Sequence, residues 1–144
     1  MDFIEGEIVY MNKPLDWTSF DLVNKFRYKL SRKLNVKKIK VGHAGTLDPK
    51  ATGVMILCTG RATKRIEELQ GQTKEYVATL RLGATTPSFD LEREIDKTYP
   101  TEHITKETVE SVLKNFIGKI EQIPPAFSAC MIDGKRAYEL ARKG

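Results

Sequence analysis

Val41-Gly42-His43-Ala44-Gly45-Thr46-Leu47-Asp48-Pro49-Lys50-Ala51-Thr52-Gly53 runs directly into Val54-Met55-Ile56-Leu57. Gly42 and Gly45 allow positive φ or a close approach of backbone to another group. Pro49 fixes its own φ and biases Asp48 away from helix towards extended geometry. The apolar run from Val54 to Cys58 is short and uniform, which reads as a buried strand. Together these residues predict a stiff turn that presents one carboxylate and is anchored in a sheet. Each piece also has an ordinary meaning. Asp-Pro is a common turn starter, and His43 beside glycine is an ordinary loop histidine. On spacing alone, a structural turn is the stronger reading.

The 144 residues suggest one domain, and 40% hydrophobic content is enough for a core. No stretch reaches the roughly eighteen apolar residues of a membrane span, and Met1-Asp2-Phe3-Ile4-Glu5-Gly6 lacks the features of a signal peptide. Cys58 and Cys130 are far apart, and with His43 and His103 they show no metal-site spacing. They read as buried thiols of a cytoplasmic protein. The net charge is +5, unevenly spread. From Leu22 to Leu47 there is no acidic residue, but Lys25, Arg27, Lys29, Arg32, Lys33, Lys37, Lys38 and Lys40 are basic. Asp90, Glu92, Glu94 and Asp96 follow later. Such charges often only solvate a helix face, but a one-sided field also suits a polyanion.

Outward from the central stretch, Glu7–Met11 reads as a strand ended by a turn at Asn12–Asp16. Thr18-Ser19-Phe20-Asp21 fits a capping box. Phe20, Val23, Phe26, Leu30 and Leu34 then recur at helical spacing as a buried stripe. Gly60–Leu69 predicts a short helix closed by Gly71. Lys74–Leu82 alternates with period two, which predicts a half-buried strand with Tyr76, Ala78, Leu80 and Leu82 on one face. Ile104–Phe116 predicts an amphipathic helix with Val109, Val112, Leu113 and Phe116 on its apolar side, stopped by Gly118. Cys130-Met131-Ile132 reads as a short strand before an Asp133-Gly134 turn.

Gly42-His43-Ala44-Gly45 fits the GXXG loop of KH domains, a weak signal. The longer string from Gly42 to Gly53 resembles the signature of TruB-type tRNA pseudouridine synthases, Gly-His-x-Gly-x-Leu-Asp-Pro-x-Ala-x-Gly, at every fixed position. The resemblance continues through Gly-x-Ala-Thr-Lys at 60–64 and Lys-x-Tyr at 74–76. It extends to Gln122-x-Pro124-Pro125, Ser128-Ala129 and Tyr138-x-x-Ala141-Arg142-x-Gly144. It departs twice. In Asn-Lys-Pro-x-Gly-x-[ST]-Ser, Asp16 stands where glycine is usual, and Pro87-Ser88 replaces an Asp-Thr pair before Asp90.

The resemblance implies an α+β fold: a mixed, largely antiparallel sheet with packed helices. It implies isomerisation of uridine to pseudouridine at position 55 in the T-loop of tRNA, with no cofactor and no metal. Asp48 would be the nucleophile, and Tyr76 would stack on the target base. His43 would hold displaced nucleotides, and Gly42, Gly45, Thr46 and Asp90 would contact RNA. Lys13 and Pro14 would support the catalytic loop. The family's catalytic domain runs past this chain's last motif and supplies an arginine for the aspartate. Residues 1–144 are therefore expected to be the N-terminal portion of that domain, without its C-terminal part and RNA-binding domain. As such they should be inactive alone and prone to self-association through open sheet edges. Two other classes fit the same features: a non-catalytic RNA-binding or RNA-folding module, and a guide-RNA-dependent relative that modifies rRNA. The fate of a uridine, rather than affinity, separates the first from an enzyme.

Overall fold

The computed structural model describes residues 1–123 and the backbone of 131–132 and 135–136. The chain divides into two compact units, Met1–Tyr76 and Val77–Gly144. The first unit is built on a three-stranded sheet in the order β1-β3-β2, with β1 at Ile8–Lys13, β2 at Val41–His43 and β3 at Gly53–Thr59. Both pairings are antiparallel. Lys13 lies opposite Gly53, and His43 opposite Leu57. The signature stretch is thus the hairpin connection from β2 to β3.

Helix α1 spans Ser19–Lys33 between β1 and β2. Thr18 caps it as expected. Its side chain accepts from the Asp21 N–H, and the Asp21 carboxylate accepts from the Thr18 N–H, so two free backbone donors of the first turn are satisfied. Leu22, Val23 and Leu30 of α1 pack with Ile39, Val41, Met55 and Leu57 to form the main core. Strand alternation sends Cys58, with Ala44 and half-buried Ile8 and Ile56, to the opposite face. There they meet Leu69 and Ile66 of α2, Ile66–Gln70, which follows a 3-10 turn at Gly60–Arg65. Burial pushes the Cys58 thiol above its ordinary range, as for an inert core cysteine.

The expectation for Phe20 is corrected: it is 59% exposed, and Leu22 is buried in its place. At about 100° per residue, the buried arc of α1 is centred between Val23 and Phe26, with Ser19 and Leu30, which leaves Phe20 outside it. Lys74–Leu82 is also corrected. It forms no ladder, and Tyr76, Leu80 and Leu82 are exposed. Alternating residues state a preference, but a strand exists only where a neighbour supplies its hydrogen bonds.

The second unit holds the two-residue pair β4, Ala84–Thr85, and β5, Lys97–Thr98, and helix α3, Lys106–Leu113, which continues as a 3-10 turn to Phe116. Thr105 caps α3. Its expected apolar side is formed but uncovered: Val112, Leu113 and Phe116 are each about half exposed or more. Strands β6, Met131–Ile132, and β7, Lys135–Arg136, pair antiparallel. The strand expected at Met131–Ile132 is present. Cys130, the Asp133-Gly134 turn and the motifs at 124–129 and 138–144 lie outside the described residues. The α+β class is borne out, and every strand pairing among the described residues is antiparallel.

Candidate active site

Asp48 opens a tight turn in which its carbonyl accepts from the Ala51 N–H at 3.0 Å, with Pro49 at the position whose fixed φ suits such a turn. The side chain of Asp48 is exposed. Its two flanks are tied to residues 13–19. Before it, the Ser19 hydroxyl donates to the Leu47 carbonyl at 3.0 Å and receives the Leu47 N–H at 2.9 Å. After it, the Pro49 carbonyl accepts from the Asp16 N–H at 2.8 Å and from Lys13 Nζ at 3.3 Å.

Lys13 is the strongest of these ties. It is 0% exposed, and its ammonium also donates to the carbonyls of Trp17 at 2.6 Å and Pro14 at 3.0 Å. An ammonium has three donors, and here each has a carbonyl. A buried charge is costly unless so satisfied. Hydrogen bonds from the hydroxyl and backbone N–H of Thr18 hold the Asp21 carboxyl below its ordinary range, with a smaller contribution from the Lys13 charge.

The two glycines of the turn act differently. Gly45 has φ of +118° with open space beside it, a conformation that favours glycine. Gly42 is in β2, and a Cβ there would lie 2.7 Å from Ile66 Cδ1, so its bareness lets α2 pack against the strand. His43 is half-buried, and its Nδ1 lies 2.6 Å from the Gly45 carbonyl. A carbonyl only accepts, so Nδ1 carries the proton, which leaves Nε2 for another partner.

A cleft of about 330 Å³ opens on the α2 side of the sheet, lined among others by Tyr10, Gly45, Thr46, Leu47, Thr52 and Tyr76. Residues on both sides of the Asp48 turn form its wall, although Asp48 itself is not a lining residue. Tyr10 and Tyr76 are each 67% exposed. Lys74 also contributes to the wall, and its ammonium donates to the carbonyls of Gln70 and Gln72 at the end of α2. Two open aromatic faces beside glycine backbone can take a flat ring by stacking.

Asp90 belongs to the second unit and organises its own loop. Its carboxylate accepts from the Ser88 hydroxyl at 2.6 Å and the Glu92 N–H at 2.9 Å. Ser88, one of the departing residues, thus has a definite partner. Among the described residues no cluster of His, Cys, Asp and Glu could hold a metal, and no helix is long and apolar enough to cross a membrane.

Against known proteins, the family described as TruB family pseudouridylate synthase (N terminal domain) matches residues 31–144. The chain belongs to the TruB pseudouridylate synthase family. It is 81% identical over all 144 residues to a tRNA pseudouridine synthase B of Parabacteroides distasonis, covering 61% of that protein. It is 55% identical to the protein of the same name from Flavobacterium johnsoniae, with 99% of this chain and 63% of that protein covered. For one from Chlorobium luteolum the identity is 53%, over 96% of this chain and 47% of the other. The chain thus spans about six-tenths of the length of its most similar relatives here.

Within this TruB-family frame, two contributors escaped the sequence reading. Ser19 stands in the sequence as part of the capping box and as the last residue of a motif, and Tyr10 as an aromatic on a short strand. Arg27 belongs to the basic block but braces the sheet, donating to the Val41 carbonyl at 3.3 Å. The other seven basic residues of the block are exposed.

Proposed function

We propose that this chain carries the nucleophile of a tRNA pseudouridine synthase that converts uridine 55 of the T-loop, and that residues 1–144 belong to the N-terminal portion of its catalytic domain. The supporting observation is a carboxylate, Asp48, on a turn held from both sides, beside a cleft bearing Tyr76, in a chain of the TruB family. The reaction breaks the N1–C1′ bond, turns the base and joins C5 to C1′, with the proton lost from C5 balanced by the one gained at N1. It is an isomerisation, so atoms balance without any co-reactant. A carboxylate that forms a covalent intermediate keeps one fragment in place while the other turns. The uridine must first leave its stack, at a cost of a few kcal/mol. On this reading, stacking on Tyr76 offsets part of that cost, and His43 holds the displaced nucleotides. The exposed lysines between Lys25 and Lys40 supply a positive field for the phosphates. The uncovered side of α3 and the outer edges of β1 and β2 favour self-association at high concentration.

The test is Asp48→Asn in a chimera whose other segments come from the Parabacteroides distasonis relative, with the 144-residue chain assayed beside it. Pseudouridine formation should disappear in the variant while tRNA binding persists. Retention of more than roughly a few per cent of turnover would remove Asp48 as nucleophile, since loss of such a group ordinarily costs orders of magnitude. The 144-residue chain alone should bind RNA, turn over little or nothing, and scatter light as more than a monomer at high concentration.

A further inference from the structure

The residues after Asp48 are gripped by Asp16 in two distinct ways. Its φ is +62°, in the left-handed region that most side chains avoid and Asp tolerates better than most. In that conformation its N–H donates to the Pro49 carbonyl at 2.8 Å, and its carboxylate Oδ1 accepts from Lys50 Nζ at 2.7 Å. A glycine at position 16 would adopt the same φ and keep the first bond. Only a side chain provides the second. Lys50 lies inside the turn whose ends are Asp48 and Ala51, so the pair holds the turn through a side chain of the turn itself, whereas Lys13 and Ser19 hold main-chain groups of Pro49 and Leu47.

We infer that Asp16 is a positioning residue for Asp48, acting through Lys50; the inference rests on Asp48 being the reacting carboxylate. The pair is open to solvent, with the side chains of Lys50 and Asp16 51% and 62% exposed. Exposed pairs contribute little to global stability. The effect of this one is local: it limits the pivoting of the turn and so the direction of the Asp48 carboxylate. Positioning errors are expressed in turnover much more than in binding.

The experiment compares Asp16→Asn, Asp16→Gly, Lys50→Gln and the double variant Asp16→Asn/Lys50→Gln. Asn keeps the left-handed turn and loses only the charge, whereas Gly also relieves backbone strain. In the chimera, each single variant should lower kcat about two- to fivefold, the range of an exposed ion pair, with KM unchanged and, for Asp16→Asn and Lys50→Gln, the urea midpoint unchanged as well. Asp16→Gly should lower kcat even if it raises stability, which a purely structural role would not do. The double variant should be no slower than either single. In the 144-residue chain, exchange of the Ala51 amide should quicken in all four while the amides of the β1–β3 ladder stay as they are. Unchanged kcat, or a loss of kcat that merely follows lost stability, overturns the inference, as does unaltered Ala51 exchange. If the unmodified chimera makes no pseudouridine, the proposed function fails instead, and Ala51 exchange alone then decides whether the tether exists.

Discussion

Lys13 and Lys74 perform the same chemical task in opposite surroundings. Each ammonium donates to main-chain carbonyls near the cleft, Lys13 to those of Pro14, Trp17 and Pro49, and Lys74 to those of Gln70 and Gln72. Lys13 is fully buried, and Lys74 stands in water. Around Lys13, the Asp48 turn is tied to a strand end, a helix start and a sheet register. Around Lys74, the Tyr76 segment has no ladder with any of the described residues, and Tyr76 and Val77 are exposed. The contrast places the tied Asp48 turn on one side of the cleft and the exposed Tyr76 ring on the other. On the proposed reading, the first would carry the covalent step and the second would receive the turning base.

The largest effect expected is at Lys13. Lys13→Met removes a donor from the carbonyls of Pro14, Trp17 and Pro49, of which only that of Pro49 keeps another donor, the Asp16 N–H, and each buried unsatisfied group costs about 1–3 kcal/mol. Urea unfolding should show a loss on the order of 3 kcal/mol or more. Lys74→Met, whose carbonyls can turn to water, should lose less than about 1 kcal/mol. Equal losses would break the distinction between the two sides.

Next in size is Tyr76→Leu. The ring is exposed, so the urea midpoint should hardly move. Loss of a base-stacking platform worth about 1–3 kcal/mol should lower pseudouridine formation by the chimera about tenfold or more. A stability loss that accounts for the fall in turnover would show that the segment is anchored after all.

The smallest effects sharpen the comparison at the two helix caps. Thr18→Ala should lower global stability by about 1 kcal/mol, because α1 is part of the core. Thr105→Ala removes the matching bond, from the Thr108 N–H at 3.2 Å, in a helix with no buried residue. It should fray α3 by circular dichroism without shifting the cooperative transition of the first unit. The α1 cap is also pH-sensitive. Because the folded state depresses the Asp21 carboxyl below its ordinary 3.8, its contribution is present above that pH and is lost as pH falls through the depressed value. The stability gap between wild type and Asp21→Asn should therefore close in strong acid, and a gap that persists there would show that the contribution of Asp21 does not come from its charge.

What could be read from sequence follows range. The Asp48 turn and the Thr18 capping box depend on neighbours within a few residues, and both are found; β3 is legible for another reason, its uniformly apolar run, although its partner β1 lies forty or more positions away. Lys74–Leu82 and the burial of α3 depend on partners elsewhere in the chain, which period and spacing cannot name. The ties that aim Asp48 were hidden for the same reason. Ser19 reaches Leu47 across 28 positions and Asp16 reaches Lys50 across 34, and nothing local to either end announces the other. Asp16 even looked like a disturbance, because a left-handed position filled by aspartate is visible only once φ is known.

Gly42 sets a gauge. With no Cβ it admits Ile66 close against β2, and α2 leads straight into the wall of the cleft at Gln72–Tyr76. The bare α-carbon thereby lets the end of Ile66, and with it α2, lie close to the strand that enters the Asp48 hairpin. A single methyl at Gly42 forces the end of Ile66 aside or lifts α2, widening the jaw. Trimming Ile66 to Val removes the carbon that the methyl would strike. The doubly changed protein should recover the original spacing.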